Sequence, residues 1–157
     1  MTDVFTAEKR SAVMRAIRSE DTKPEMLVRS IVFRAGYRYR LHSKKLPGRP
    51  DLVLAKHHAA IFVNGCFWHQ HAGCKRATMP ATRQDYWLPK LQRNKARDQA
   101  AIESLLAKGW RVCIVWECAC RKNMADQLRN RLIAFIDGSA SFAEIGSEPD
   151  PQPKLAL

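Results

Sequence analysis

Trp110-Arg111-Val112-Cys113-Ile114-Val115-Trp116 is too continuously apolar for a strand with one wet face, so it reads as a strand buried on both sides. Immediately before it stands a long helical pattern, Tyr86 to Lys108, charged on one face and carrying Leu91, Ala101, Ile102, Leu105 and Leu106 on the other. A long helix that delivers the chain into a doubly buried strand implies a crossover to a parallel neighbour. Gly109 terminates that helix, Thr82-Arg83-Gln84-Asp85 is its start signal, and Pro89 is expected to kink it or delay its start.

Working outward, a second apolar run, Ala59 to Val63, ends at Asn64-Gly65. The turn Leu46-Pro47-Gly48-Arg49-Pro50 leads into another, Asp51 to Leu54. Only four residues separate these two strands, so they should form a hairpin. Thr22-Lys23-Pro24-Glu25 matches a capping box ahead of Met26, Leu27, Ile31 and Val32, with Gly36 as the stop. Thr6 to Ser19 and Met124 to Ile136 also read as helices, and Tyr37 to Leu46 is basic and aromatic. The order helix, helix, two strands, helix, strand, helix predicts an α/β fold, a mixed sheet flanked by helices. A single domain over residues 1–137 is expected, followed by a loosely ordered tail, 138–157, with Pro149, Pro151 and Pro153.

Charge narrows the partner. The chain carries 27 Lys and Arg against 15 Asp and Glu, a formal +12. All of that excess lies in residues 1–100, which hold 20 basic and 8 acidic residues, whereas residues 101–157 hold 7 of each. A polyanion, nucleic acid first, is the partner this asymmetry predicts. No amphipathic basic helix with an apolar face, lipidation signal or membrane-length apolar run argues for a lipid surface. Met1 to Arg18 is charged throughout, and the five cysteines are an odd number, which together read as a reduced, cytosolic chain.

Four possible metal ligands, two thiols and two imidazoles, fall in one short stretch, Cys66-Phe67-Trp68-His69-Gln70-His71-Ala72-Gly73-Cys74. Thiolate and imidazole are what tetrahedral zinc prefers, so Cys66, His71 and Cys74 are read as ligands of a structural zinc. Cys118, just past the buried strand, is the candidate for the fourth position, with Cys120 its competitor and Cys113 expected in the core. His69 is then free to act as a general base, unless it replaces His71 on the metal. Asp51, behind the Pro-Gly-Arg-Pro turn, can hold a divalent cation against a phosphate or merely cap the turn. Glu25, at the third position of a capping box, is structural on this reading alone. Phe67, Trp68, Tyr86 and Trp87 offer apolar surface that can enter between base pairs.

Pro47-Gly48-Arg49-Pro50-Asp51, Gly65-Cys66-Phe67-Trp68-His69 with His71 and Cys74, Ala81-Thr82-Arg83 to Trp87, and Gly109 to Cys118 together resemble the very short patch repair (Vsr) DNA mismatch endonucleases. So does the earlier segment Met14-Arg15-Ala16-Ile17 to Glu25. The likeness spans about residues 8–136 in consistent order. It implies a restriction-endonuclease-like fold with structural zinc, and a magnesium-dependent nick 5′ of the thymine in a T:G mismatch that starts repair of deaminated 5-methylcytosine. It further implies that Asp51 and the Val63 carbonyl ligate magnesium, that His69 is the base, and that Glu25 supports the hydrated metal or the base. Cys66, His71, Cys74 and Cys118 would bind zinc. Phe67, Trp68 and Trp87 would wedge into the duplex, with Arg15, Arg49 and Asn64 as further DNA contacts. Asn64 stands where the family carries His, and asparagine can donate a hydrogen bond but transfers no proton at neutral pH. DNA with a T:G mismatch is the partner so implied, mismatch-repair proteins are further ones, and a monomer in the bacterial cytoplasm, on the nucleoid when bound, is expected. The competing readings are a zinc-stapled DNA-binding module without catalysis and a restriction-like endonuclease of another specificity. A zinc deaminase fits poorly, since the chain lacks the Glu beside the first ligand and the close Pro-Cys-x-x-Cys pair.

Overall fold

The computed structural model describes residues 20–147 of the chain. The expected helix Thr6 to Ser19, and Arg15 within it, lie outside the described residues, as do Pro149, Pro151 and Pro153.

Helix α1 runs Lys23–Arg34, α2 Gln84–Ala107 and α3 Ala125–Asp137. The strands are β1 Arg40–Leu41, β2 Leu52–Leu54, β3 Ala59–Asn64, β4 Arg111–Trp116 and β5 Phe142–Ile145, in spatial order β1-β2-β3-β4-β5. The first three pair antiparallel, and β3-β4 and β4-β5 pair parallel. The hairpin expected between β2 and β3 is present, turning through the short helical segment Ala55–His57 and His58 at φ 54°. The crossover expected from α2 is present too: the helix returns the chain to β4, in register with β3 from Ala59 opposite Arg111 to Asn64 opposite Trp116.

Each face of the sheet has its own core, because successive side chains of β3 and β4 alternate sides. Ala59, Ile61, Cys113 and Val115 meet Val28 and Val32 of α1 and Leu128, Leu132, Phe135 and Ile136 of α3. Ala60, Phe62, Val112, Ile114 and Trp116 meet Leu105 of α2 on the opposite side. Cys113 is thus a core residue, as read from its place in the strand. Both faces of β4 are covered by helices, which is why its sequence shows a continuous run rather than an alternation.

Three expectations need correction. Helix α2 starts at Gln84 and continues through Pro89, so the proline does not delay it; the hydrogen bond forgone, to the Asp85 carbonyl, lies near an exposed end where water can take its place. Its N-cap is Arg83, at φ 54° with no side-chain cap, and not Thr82. The segment assigned to a loose tail supplies β5, which pairs with β4 from Val112 opposite Phe142 to Val115 opposite Ile145. Only Ile145 of that strand is buried, so its membership comes from main-chain pairing along the sheet edge rather than from an apolar pattern. Strand β1 was not expected either: two exposed residues carry no alternation to read.

Candidate functional site

The turn before β2 is where the site begins. Gly48 has φ +74°, and a Cβ there would meet the Cβ of Ala101 on α2 at 2.6 Å, so only glycine lets the turn pack against that helix. Asp51 follows and leans across to β3, where the Val63 N–H donates to its Oδ2 at 2.7 Å. Burial, reinforced by the neighbouring Glu25 carboxylate and only partly opposed by that hydrogen bond, pushes the Asp51 carboxyl up to about 7.

Glu25 comes from the first turn of α1 and is 1% exposed. Half of the expected capping box is present: Thr22 Oγ1 accepts from the Glu25 N–H at 3.3 Å. The Glu25 side chain is engaged elsewhere. His42 Nε2 lies 3.0 Å from both of its carboxylate oxygens, and Arg29 Nη1 donates to Oε2 at 3.2 Å while also meeting Asp21 Oδ1 at 2.7 Å.

On the far side of the same cleft stands His69, in the tight turn that follows β3. Its Nδ1 is 2.6 Å from Asp98 Oδ2 on α2. One turn earlier on that helix, Asn94 Nδ2 donates to the Trp68 carbonyl at 3.2 Å, so α2 braces the His69 turn at two points. A carboxylate on Nδ1 selects the tautomer protonated there and leaves Nε2 as the acceptor. Asp51, His42, Asn64, His69, Asp98 and Arg49 line one cleft of roughly 650 Å³. Asn64 is 7% exposed, and Arg49 forms an ion pair with Glu20 at the rim.

Behind His69 the thiols converge. Cys66, His71, Cys74 and Cys118 each present a ligand atom, all within 4.8 Å of one another, a set able to hold a metal ion. His71 Nδ1 stands 3.6 Å from Cys66 Sγ and 3.5 Å from Cys118 Sγ. Backbone hydrogen bonds from His71 to Cys66 and from Cys74 to His71 curl the loop around this point. The other side is closed by the chain leaving β5: Ser147 N–H donates to Cys118 Sγ at 3.3 Å, and a Cβ on Gly146 would come within 3.0 Å of the His71 ring. Burial, and then the neighbouring Cys118, pushes the Cys66 thiol up to about 12. Burial also acts against the Cys118 thiolate, but the Ser147 N–H and the adjacent thiols hold that thiol below its usual value. Burial lowers His71, keeping the imidazole neutral and able to ligate. Cys120 is outside the cluster, its thiol donating to the Trp116 carbonyl at 3.8 Å. His71, and not His69, faces the thiols.

Beside His69, Phe67, Trp68 and Trp87 form one aromatic cluster with ring centroids 5.1 to 5.8 Å apart; Tyr86 extends it and Lys90 sits over the Trp68 and Trp87 rings. All four rings keep some exposure.

The reading of the sequence passed over Asp98, Asn94 and His42. For the first two a signal existed. Leu91, Asn94, Asp98, Ile102 and Leu105 form one stripe at helical spacing, so two polar residues occupy core-facing positions, which calls for partners. His42 had none, since its meeting with Glu25 depends on how β1 lies across α1.

Acids and a braced imidazole gathered at one cleft, on an α/β protein with a large basic excess, can serve hydrolysis of a phosphodiester, the chemistry of a nuclease. Residues 2–76 match the family described as DNA mismatch endonuclease Vsr. Over 151 residues the chain is 41% identical to the DNA mismatch endonuclease Vsr of Escherichia coli K12, covering 94% of this chain and 96% of that one. It is 49% identical over 118 residues to the type II nicking enzyme V.XorIIP of Xanthomonas oryzae, covering 75% and 86%. To the type II nicking enzyme V.NmeAIP of Neisseria meningitidis it is 42% identical over 137 residues, covering 87% and 97%. The chain belongs to the Vsr family of DNA mismatch endonucleases. Its partner is DNA, and among the described residues no helix is long and apolar enough to cross a membrane.

Proposed function

We propose that this endonuclease nicks one strand of duplex DNA 5′ of the thymine in a T:G mismatch, using a divalent cation, magnesium, and that the nick opens repair of deaminated 5-methylcytosine. The observation that carries the reading is the cleft itself. Asp51, half-buried and backed by the buried Glu25, lines the same cleft as an imidazole whose Nδ1 is held by Asp98.

Asp51 and the Val63 carbonyl would hold the cation, with Glu25 supporting its hydration shell. The fit is supported by Asp51 and Glu25 being crowded together in a buried place where their charges repel, a situation a divalent cation relieves. An extended residue presents its N–H and C=O to the same flank. Because the Val63 N–H reaches Asp51, the Val63 carbonyl faces that side too. The cation supplies stabilisation of the charge that develops on the phosphate. His69 Nε2 takes a proton from water as its oxygen attacks phosphorus, while Asp98 keeps Nδ1 protonated and stabilises the imidazolium that forms. Asn64 can donate a hydrogen bond to a phosphate oxygen or the departing oxygen, but protonation of the leaving group falls to water or another acid.

Zinc is the ion proposed for the Cys/His cluster. Ligand bonds of about 2.3 Å to sulfur and 2.0–2.1 Å to nitrogen, arranged tetrahedrally, put sulfur about 3.5 Å from nitrogen. The two sulfur–nitrogen separations at His71 are 3.6 and 3.5 Å. Four protein ligands leave no open position, so the role is structural: it ties the His69 turn to the end of β4. The Phe67, Trp68 and Trp87 cluster would enter the stack beside the mismatch, which unpairs at lower cost than a matched step. Arg15 and Arg49 would contact phosphates. A restriction-endonuclease-like assignment of the fold is part of the same reading.

The test is strand nicking of a labelled duplex with one T:G mismatch in a CT(A/T)GG context, beside its T:A counterpart, with magnesium or EDTA, for wild type and Asp51→Ala. A magnesium-dependent nick 5′ of the mismatched T, lost in Asp51→Ala, is expected. Binding without a nick means a DNA-binding module. Equal cutting of both duplexes means another specificity, and a nick confined to other flanking sequences is the outcome that the similarity to type II nicking enzymes makes worth including.

A further inference from the structure

We propose that His42 is the positioning residue of the acidic site, holding the Glu25 carboxylate and the main chain of Asp51 in the one arrangement that receives the cation. The proposal rests on the reading that Asp51 and Glu25 form a divalent cation site.

His42 bonds to both acids. Its N–H donates to the Asp51 carbonyl at 3.1 Å, and its Nε2 lies 3.0 Å from both Oε1 and Oε2 of Glu25. The two acids come from different elements, the first turn of α1 and the turn entering β2, and nothing in either element alone sets their separation. His42 follows β1 at φ +47°, a conformation that L residues other than Asn, Asp and His seldom adopt. Backbone strain of this kind persists where the surroundings over-determine it. Here the left-handed turn takes the chain off the ladder just after Leu41 and sends the imidazole inward, where its side chain is 13% exposed.

Around the ring also stand Glu20, with Oε2 3.8 Å from Nδ1, Asp21, within 4.8 Å, and Arg29, which reaches Glu25 from the helix side. Arg29 grips one oxygen, Oε2, from one direction, which leaves the carboxylate free to rotate about its own bond to the chain. A donor shared between both oxygens sets the plane of the group. Arg29 also satisfies Asp21, so the nearby trio Asp21, Glu25 and His42 already has its cation, and a second metal there is not needed.

The side-chain amide of glutamine occupies the position of Nε2 relative to Cβ, whereas that of asparagine occupies the position of Nδ1. This chemistry gives a rescue that a merely space-filling role would not predict. The full-length, zinc-loaded protein and its His42→Ala, His42→Asn, His42→Gln and Asp51→Ala variants are compared by two readouts. One is the rise in melting temperature on titrating magnesium without DNA; the other is nicking, resolved into the magnesium midpoint and the rate at saturating magnesium. His42→Ala and His42→Asn should raise both magnesium midpoints about tenfold, as expected for loss of a charge-assisted hydrogen bond, with the saturated rate changed by less than about threefold. His42→Gln should return both midpoints to within about threefold of wild type. Wild-type midpoints in His42→Ala overturn the proposal, and so does equal impairment of all three His42 variants. A magnesium response unchanged in Asp51→Ala, or absent from wild type, overturns the cation site itself and the positioning role with it; loss of that response in Asp51→Ala alone condemns only the role of His42.

Discussion

His69 Nδ1 and Asp98 Oδ2 stand 2.6 Å apart, although 29 residues separate them in the chain, and the contact is made by a polar residue in the core-facing stripe of a helix. The pair sets both the orientation and the tautomer of the imidazole that faces the cleft.

Asp98→Asn should therefore act on turnover rather than on binding. An amide can accept from Nδ1–H in one orientation, but it stabilises no imidazolium and can equally donate, which selects the wrong tautomer. Single-turnover nicking at saturating magnesium should slow by roughly 10²-fold or more, with mismatch affinity in EDTA unchanged. An unimpaired rate would remove Asp98 from the mechanism.

The two cysteines beyond β4 make a sharp comparison. Cys118→Ser should lose the metal, because it removes one of four ligand atoms lying within 4.8 Å of each other. Its zinc affinity should fall by roughly 10²-fold or more, measured against a competing chelator, and the melting temperature should fall with it. Cys120→Ser alters a thiol that donates to the Trp116 carbonyl, and should keep one zinc per chain.

Gly48→Ala places a methyl group 2.6 Å from the Ala101 Cβ and forces an L side chain to φ +74°. A loss of about 1–3 kcal/mol in unfolding free energy is expected, together with slower nicking, since the same turn carries Arg49 and Asp51. Adding Ala101→Gly should recover the steric part and leave the backbone strain, so the double variant should fall between the two in denaturant titrations.

Asp51 links stability to pH. A carboxyl raised to about 7 in the folded protein holds its proton across the range where the unfolded chain has released it. The stability this represents is fully present below the ordinary carboxylate range and is lost as pH rises through about 7, an effect on the order of a few kcal/mol at most. Without magnesium, the melting temperature of wild type should fall between pH 5 and pH 8 relative to Asp51→Asn. Magnesium should raise it more at pH 8 than at pH 6, because at the lower pH it must displace a proton. A parallel pH dependence in the two proteins would contradict the assignment.

Much of the molecule follows from short-range pattern. Hydrophobic periodicity identifies α1, α2 and α3, because helical spacing records which side of each faces the sheet. The unbroken apolar run of β4 records that both of its faces are covered. Cys66, His71 and Cys74 are legible as a set because a tight loop brings residues five and eight apart together without help from the rest of the fold. Asp51 and His69 could be singled out by chemistry and spacing.

What the tertiary structure alone decided is where long-range pairing overrides local pattern. Strands β1 and β5 are held at the sheet's edges by main-chain hydrogen bonds, to which side-chain pattern is nearly blind. The end of β4 carries two cysteines near each other, and the path of the chain there turns Cys118 toward His71 and Cys120 toward a backbone carbonyl. Asp98 meets His69 only because of where α2 lies on the sheet, and His42 meets Glu25 only because β1 ends beside the first turn of α1. A residue's type and its neighbours in sequence determine the chemistry it can perform; the partner that makes the chemistry specific is set by how distant elements pack.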